Sequence, residues 1–151
     1  MWLRIFGRAS NNPSPVALVE RLHEIGFPAV PTFKGDDLGW TEASLNLGKG
    51  SPVLLARFLT KEDDLRDDLN AYAAELEGYS FQPAANGLME RVIQTQQLIT
   101  VRKPVDHADE VILDNLCEAM CTWFAIQTDG VYQIDGRGWF TAEGTQLVQE
   151  Y

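Results

Sequence analysis

Two groups of residues in this sequence could do chemistry: clustered carboxylates, and a polar loop built around an arginine. The stretch "LTKEDDLRDDLNAYAAELE", from Leu59 to Glu77, holds seven acidic residues against two basic ones. In a helix, Asp63 and Asp67, like Asp64 and Asp68, lie one turn apart, close enough to share a cation or to face a basic partner. Leu65, Leu69, Tyr72, Ala73 and Leu76 recur at helical spacing. That stripe turns Asp63, Asp64 and Asp67 to the opposite face, with Asp68 on the flank. Thr60 with Asp63 three residues on forms a variant capping box that starts the helix, and Gly78 ends it. A second acidic run, 106–118, contains Asp109, Glu110 and Asp114 and no Lys or Arg. The two runs carry the whole net charge of −10, so the acidity is local.

The plainest account of these acids is a solvated helix face, because acids in a first turn complement the helix dipole. The account with functional content is a docking surface for a basic protein. Asp63, Asp64 and Asp67 would carry it, with Asp68 flanking and Asp109, Glu110 and Asp114 as a second patch. A metal is not expected, since carboxylates on a helix face diverge and lack the glycine-containing loop of a calcium site.

The polar loop "FGRASNNPSP" joins the first strand to the first helix. Arg8, Ser10 and Asn11 there could aim a guanidinium and backbone N–H groups at a small anion. Cys117 and Cys121 are one helical turn apart but have no second Cys/His cluster to complete a metal site, and they fall among apolar residues, where cysteine packs as a small hydrophobe. His107 lies ten residues from Cys117, about 15 Å along a helix, too far to activate it. His23 reads as a boundary residue of the first helix. No nucleophile elbow, zinc-protease, Walker or dinucleotide motif occurs. The leading expectation is therefore a non-enzymatic interaction protein without a cofactor. An anion-binding or enzymatic site at Arg8, Ser10 and Asn11 is the alternative, and a homo-oligomer built on aromatic strand ends at Trp40 and Trp139 is a third.

Composition removes other classes. A pI near 4.5 without a basic stripe argues against nucleic acid. No apolar run reaches the 18 or so residues that span a bilayer. "MWLRIFGRAS" does not read as a signal peptide, and two cysteines agree with a reducing, cytoplasmic setting.

The elements that must position these groups are legible from periodicity. Strands are expected at Trp2–Phe6, at Phe27–Phe33 on a sheet edge, at Trp40–Leu47, and at Val53–Leu59, the last as a more buried strand. Ser14 and Pro15 start the first helix and Gly26 stops it. A short helix near "NGLMERVIQTQ" and a strand at Gln97–Lys103 follow. Asp106 is expected to cap a long, broadly apolar helix from about Ala108 to Gln127. "VYQIDGRGWF" predicts a hairpin with a two-residue turn at Asp135-Gly136, and "TQLVQ" a last strand. The whole predicts one α+β domain over 1–151: about four helices on a mostly antiparallel sheet, with two possible strand–helix–strand–strand units.

"DDLRDDLNAYAAELE", "LMERVIQTQQLITVRKP" and "DGVYQIDGRGWFTAEGTQLVQEY" together resemble segments of a group of small uncharacterised bacterial α+β proteins. That resemblance covers most of the chain, implies one compact domain, and transfers no residue roles.

Overall fold

The alternation of apolar side chains along each strand is resolved by packing helices on both faces of a single sheet. The computed structural model describes residues 1–106 and 109–151; His107 and Ala108 lie outside them. In chain order the elements are β1 (Trp2–Gly7), α1 (Pro15–Glu24), β2 (Val30–Asp36), β3 (Gly39–Asn46), β4 (Val53–Leu59), α2 (Arg66–Glu77), α3 (Ala85–Ile93), β5 (Gln97–Arg102), α4 (Glu110–Thr128), β6 (Gly130–Ile134), β7 (Gly138–Phe140) and β8 (Gln146–Gln149). The strands form one eight-stranded antiparallel sheet in the order β2-β3-β4-β5-β1-β6-β7-β8. The α+β architecture with four helices is as expected.

On the first face, Leu3 and Ile5 of β1, Leu45 of β3, Leu55 of β4 and Ile99 of β5 meet α1 and α4. Leu18 and Leu22 of α1, with Met120, Cys121 and Phe124 of α4, are fully buried there. Ser14 caps α1, its hydroxyl accepting from the Ala17 N–H at 3.3 Å, and Pro15 opens the helix. On the second face, Phe6, Leu98, Val131 and Trp139 meet Leu69 and Leu76 of α2 and Leu88 and Val92 of α3. The two apolar clusters therefore lie on opposite sides of the same strands, as odd and even positions must.

Several local expectations are corrected. The helix at the acidic stretch begins at Arg66 rather than after Thr60. Thr60 gives its hydroxyl to the Thr95 carbonyl at 2.8 Å, Asp63 accepts from the Leu59 N–H at 2.6 Å, and Asp64 is left-handed at φ 53°. These residues close a turn, not a helix cap. Asp106 does not cap α4; it accepts from the Ser51 N–H and hydroxyl at 2.9 and 2.7 Å. Asp109 caps α4 instead, accepting from the Ile112 N–H at 3.1 Å. The β6–β7 turn holds three residues, Asp135 to Arg137, because Ile134 pairs with Gly138. Trp40, which strict alternation would turn outward, is buried. The register shift at Lys34/Gly35 sets Gly35 opposite Trp40 and Lys34 opposite Glu42, so Thr41 is the extra residue of a bulge.

The succession strand–helix–strand–strand does occur twice, as β1-α1-β2-β3 and β5-α4-β6-β7. The sheet uses the two units differently. β4 ends the first meander and lies beside β5, whereas β6 begins the second meander and lies beside β1. The two meanders run outward from the centre in opposite chain sense, so the units do not superpose as repeats.

Candidate functional site

The strand registers define three rows of side chains on the second face. One row runs Ser44, Leu54, Arg102, Trp2. The next runs Glu42, Ala56, Thr100, Arg4, Gln133, Trp139. The third runs Phe58, Leu98, Phe6, Val131. Helices α2 and α3 cover the third row from Leu98 to Val131 and the Trp139 end of the second. The first row, and the second as far as Arg4, have no helix above them.

That uncovered floor is the site. A cavity of about 750 Å³ sits on it, lined by Trp2, Arg4, Leu54, Phe58, Tyr72 and Arg102 among others. Trp2, Leu54 and Phe58 are 40%, 43% and 36% exposed, which is high for apolar side chains in the middle of a sheet. The expected "more buried" strand Val53–Leu59 is thus buried on one side only. Val53, Leu55 and Arg57 face the α1/α4 core, while Leu54, Ala56 and Phe58 face the cavity.

Three cations border the floor, and they are engaged very differently. Lys34 is paired with Glu42 at 3.1 Å across the β2–β3 ladder. Arg4 donates to Asp135 at 2.6 Å and to Gln133 at 2.8 Å, and its guanidinium lies 5.5 Å from the centre of the Tyr72 ring. Arg102 stacks over Trp2 at 5.6 Å, and among the described residues no carboxylate pairs with it. Burial raises the Tyr72 hydroxyl above its ordinary pKa, helped by Glu75 and Asp68 and opposed by Arg4. At Asp135 burial works to raise the carboxyl, but the hydrogen bond and charge of Arg4, with Gln133 and the Trp2 backbone, hold it below its ordinary value.

A second, more polar cavity of about 650 Å³ adjoins the first, and Arg4 and Tyr72 line both. Its other walls include Glu75 and Tyr79 from the α2 side and Gln133, Asp135 and Glu150 from the β6–β8 side. Gln133 orients both carboxylates: its amide donates to Glu150 at 2.8 Å and to Asp135 at 3.3 Å.

The acids singled out from the sequence are dispersed. Asp63 and Asp64 sit in the turn before α2, and Asp67 and Asp68 in its first turn; all four are exposed. Asp63 is engaged with the Leu59 N–H and, with Asp36, supplies negative charge to Arg57. Asp109 caps α4, Glu110 is exposed beside it, and Asp114 pairs with Lys103 at 2.6 Å. Because α2 and α4 pack on opposite faces of the sheet, the two acidic patches do not form one surface. Within the polar loop, Arg8 is held by Asp129 at 3.0 Å and Ser10 is exposed. Asn11 donates to the Gln127 carbonyl at 2.9 Å. The loop turns its carbonyls inward. Gln97 donates to those of Ala9 and Asn11, both at 2.7 Å, and the buried Arg57 reaches the Asn11 carbonyl at 3.4 Å. Neither cavity described above reaches Arg8, Ser10 or Asn11.

Cys117 and Cys121 are buried free thiols. Burial pushes Cys117 up to about 12 and Cys121 well above the ordinary thiol value, so neither is an activated nucleophile. Among the described residues there is no group of three or more His, Cys, Asp or Glu side chains placed to hold a metal ion, and no helix long and apolar enough to cross a membrane.

Sequence reasoning missed Trp2, Arg4, Leu54, Phe58, Thr100 and Arg102 as one site. A signal was present: Arg4 in β1 and Thr100 and Arg102 in β5 put polar groups on one parity of otherwise apolar strands. Only the pairing of β5 with β1 and β4 shows that these parities coincide. Comparison with protein-family models, curated proteins and solved structures finds no match.

Proposed function

We propose that this chain is a non-enzymatic binding protein whose ligand is a small amphipathic acid, received on the uncovered half of the second sheet face. The observation that carries this reading is the cavity itself: an apolar floor beside a guanidinium without a carboxylate partner among the described residues. Its volume falls in the range usual for small-molecule sites, about 300–1,000 Å³. Leu54, Ala56, Phe58 and Trp2 would take the apolar body, each contact removing surface from water at roughly 25 cal/mol per Å². Arg102, whose guanidinium lies 5.6 Å from the centre of the Trp2 ring, presents the planar fork that suits a carboxylate. Lys34 and Arg4 already have carboxylate partners, so the acid head belongs at Arg102. A binding role rather than a catalytic one is supported by the lining, which includes no histidine or cysteine and whose single carboxylate, Glu42, is paired. Two buried free thiols accord with a cytoplasmic setting.

Dodecanoate, kept below its micellar concentration and followed by calorimetry, is the probe. Saturable one-to-one binding is expected, weakened at least tenfold by Leu54→Asp and several-fold by Arg102→Gln. Binding that both variants leave unchanged would remove the ligand from this face.

A second reading keeps the acidic surface as a docking site for a basic protein. It is favoured by Glu62, Asp64, Asp67 and Asp68, which are exposed and make no ion pair among the described residues. The patch is then confined to the start of α2, without the α4 acids. A lysine-rich peptide would bind the wild type at low salt. The variant carrying Asp64→Asn, Asp67→Asn and Asp68→Asn would lose that binding; equal binding by both rejects the surface.

A further inference from the structure

We infer that a second copy of this chain pairs with the β2 edge and joins two sheets into one; this stands apart from the ligand reading. The two edges of the sheet are finished differently. At β8 the Gln82 side chain closes the edge, donating to the Gln149 carbonyl at 2.8 Å and accepting from the Gln149 N–H at 2.9 Å. Beside β2 no element or side chain plays that part among the described residues, and every residue of the strand except Pro31 is exposed. An edge in that state is a template for another strand. Trp40 and Trp139 are buried, so the aromatic strand ends offer no contact to another copy.

The β2–β3 ladder shows which backbone groups of the edge point outward. The Thr41 hydroxyl donates to the Lys34 carbonyl at 3.4 Å, so that carbonyl faces β3. The Trp40 carbonyl, opposite Gly35, turns to Arg57 at 3.3 Å, so Gly35 and Trp40 exchange no bonds. Residues alternate in direction along an antiparallel strand, so Pro31, Phe33 and Gly35 present their backbone groups to solvent. Pro31, which has no N–H to give β3, fits that outward position.

One two-fold register satisfies this edge. With Phe33 opposite Phe33 of the second copy, each Phe33 N–H meets the other copy's Phe33 carbonyl, and each Gly35 N–H meets the other copy's Pro31 carbonyl. Thr32 then lies opposite Lys34, and Val30 opposite Asp36. Centring the axis on Lys34 would set two lysines face to face, which is unfavourable. Centring it on Thr32 would put Gly35 opposite Ala29, whose N–H and carbonyl are already bonded to His23. Pro31 and Lys34, which deter pairing in other registers, here select one. Thr32, Phe33 and Lys34 also line the open-face cavity, so each copy supplies a lysine to the rim of the other's cavity. The contact is a single strand edge, small enough for the dimer to dissociate on dilution.

Sedimentation over a dilution series tests this. The wild type should pass from dimer to monomer as it is diluted. Phe33→Pro removes the central outward donor and spares the β2–β3 ladder, so it should weaken dimerisation at least tenfold while the circular dichroism stays unchanged. If that variant does not fold, engineered cysteines decide, since both native thiols are buried. An equimolar mixture of Thr32→Cys and Lys34→Cys should oxidise to a disulfide-linked dimer, because those positions face each other at about 4.5 Å. Lys34→Cys alone should not, because its two copies lie roughly 8 Å apart across the axis. A wild type that stays monomeric up to about 1 mM overturns the inference. So does a dimer that a folded Phe33→Pro leaves untouched, or efficient cross-linking of Lys34→Cys by itself.

Discussion

The two halves of the second sheet face are built from the same strands and differ in what lies above them. On the covered half, Phe6 packs edge-on against Tyr72 at 5.2 Å and beside Trp139 at 4.9 Å, under α2 and α3. On the open half, Leu54 and Trp2 occupy equivalent inward-parity positions and meet solvent. Arginines repeat the contrast on the two sides of the sheet. Arg57 on β4 is 4% exposed and fully engaged, donating to Gln97 at 2.8 Å and to the Leu38 and Trp40 carbonyls at 3.1 and 3.3 Å. Arg102, one strand away, has only the Trp2 ring as a side-chain partner among the described residues. A region that serves stability fills its valences and its volume. The open half does neither, and that difference marks it as the place for a ligand.

If the contrast is right, truncations on the two halves have very different consequences. Phe6→Ala removes a fully buried ring and is expected to lower unfolding stability by about 3–5 kcal/mol, whereas Leu54→Ala should cost under about 1 kcal/mol. Urea denaturation of both variants measures this, and similar losses would erase the distinction. The arginines come next in size. Arg57→Ala leaves the Gln97 side-chain oxygen and the Leu38 and Trp40 carbonyls without this donor, at about 3 kcal/mol in sum. Arg102→Gln should stay within about 0.5 kcal/mol, because nothing in the fold depends on it. A destabilising Arg102→Gln would mean that the residue belongs to the scaffold and not to a binding surface.

How much of this was readable beforehand follows from the range of the interactions. Strand and helix identity depends on neighbours a few residues away, and Ser14, Pro15 and the stripe from Leu65 to Leu76 announced their elements correctly. The capping-box pattern at Thr60 failed because its two side chains found other partners: Thr95, 35 residues on, took the hydroxyl, and the Leu59 N–H took Asp63. In "VLLARFL" both parities are largely apolar, so the sequence alone could not show that one of them lacks a covering helix. The buried Arg57 was equally silent, since its partners come from Asn11, Leu38, Trp40 and Gln97. The site is assembled from five strands and one helix edge, and no short motif can encode such a juxtaposition.

The smallest effect concerns the boundary between the halves, where Asp135 keeps Arg4 from resembling Arg102. The folded protein holds the Asp135 carboxyl below its ordinary value of 3.8. A depressed carboxylate contributes stability that is fully present above the unfolded value and disappears as pH falls through the lower, folded one. Wild type should therefore exceed Asp135→Asn in urea midpoint near neutrality, with the gap closing from about pH 4 downward. The side chain of Asp135 is 42% exposed, so the gap is small and shrinks with added salt. A difference that persists unchanged to about pH 2 would mean that the carboxylate charge is not what holds Arg4. Arg4 would then be positioned by Gln133 and the Tyr72 ring alone, and its charge would be open to the ligand alongside that of Arg102.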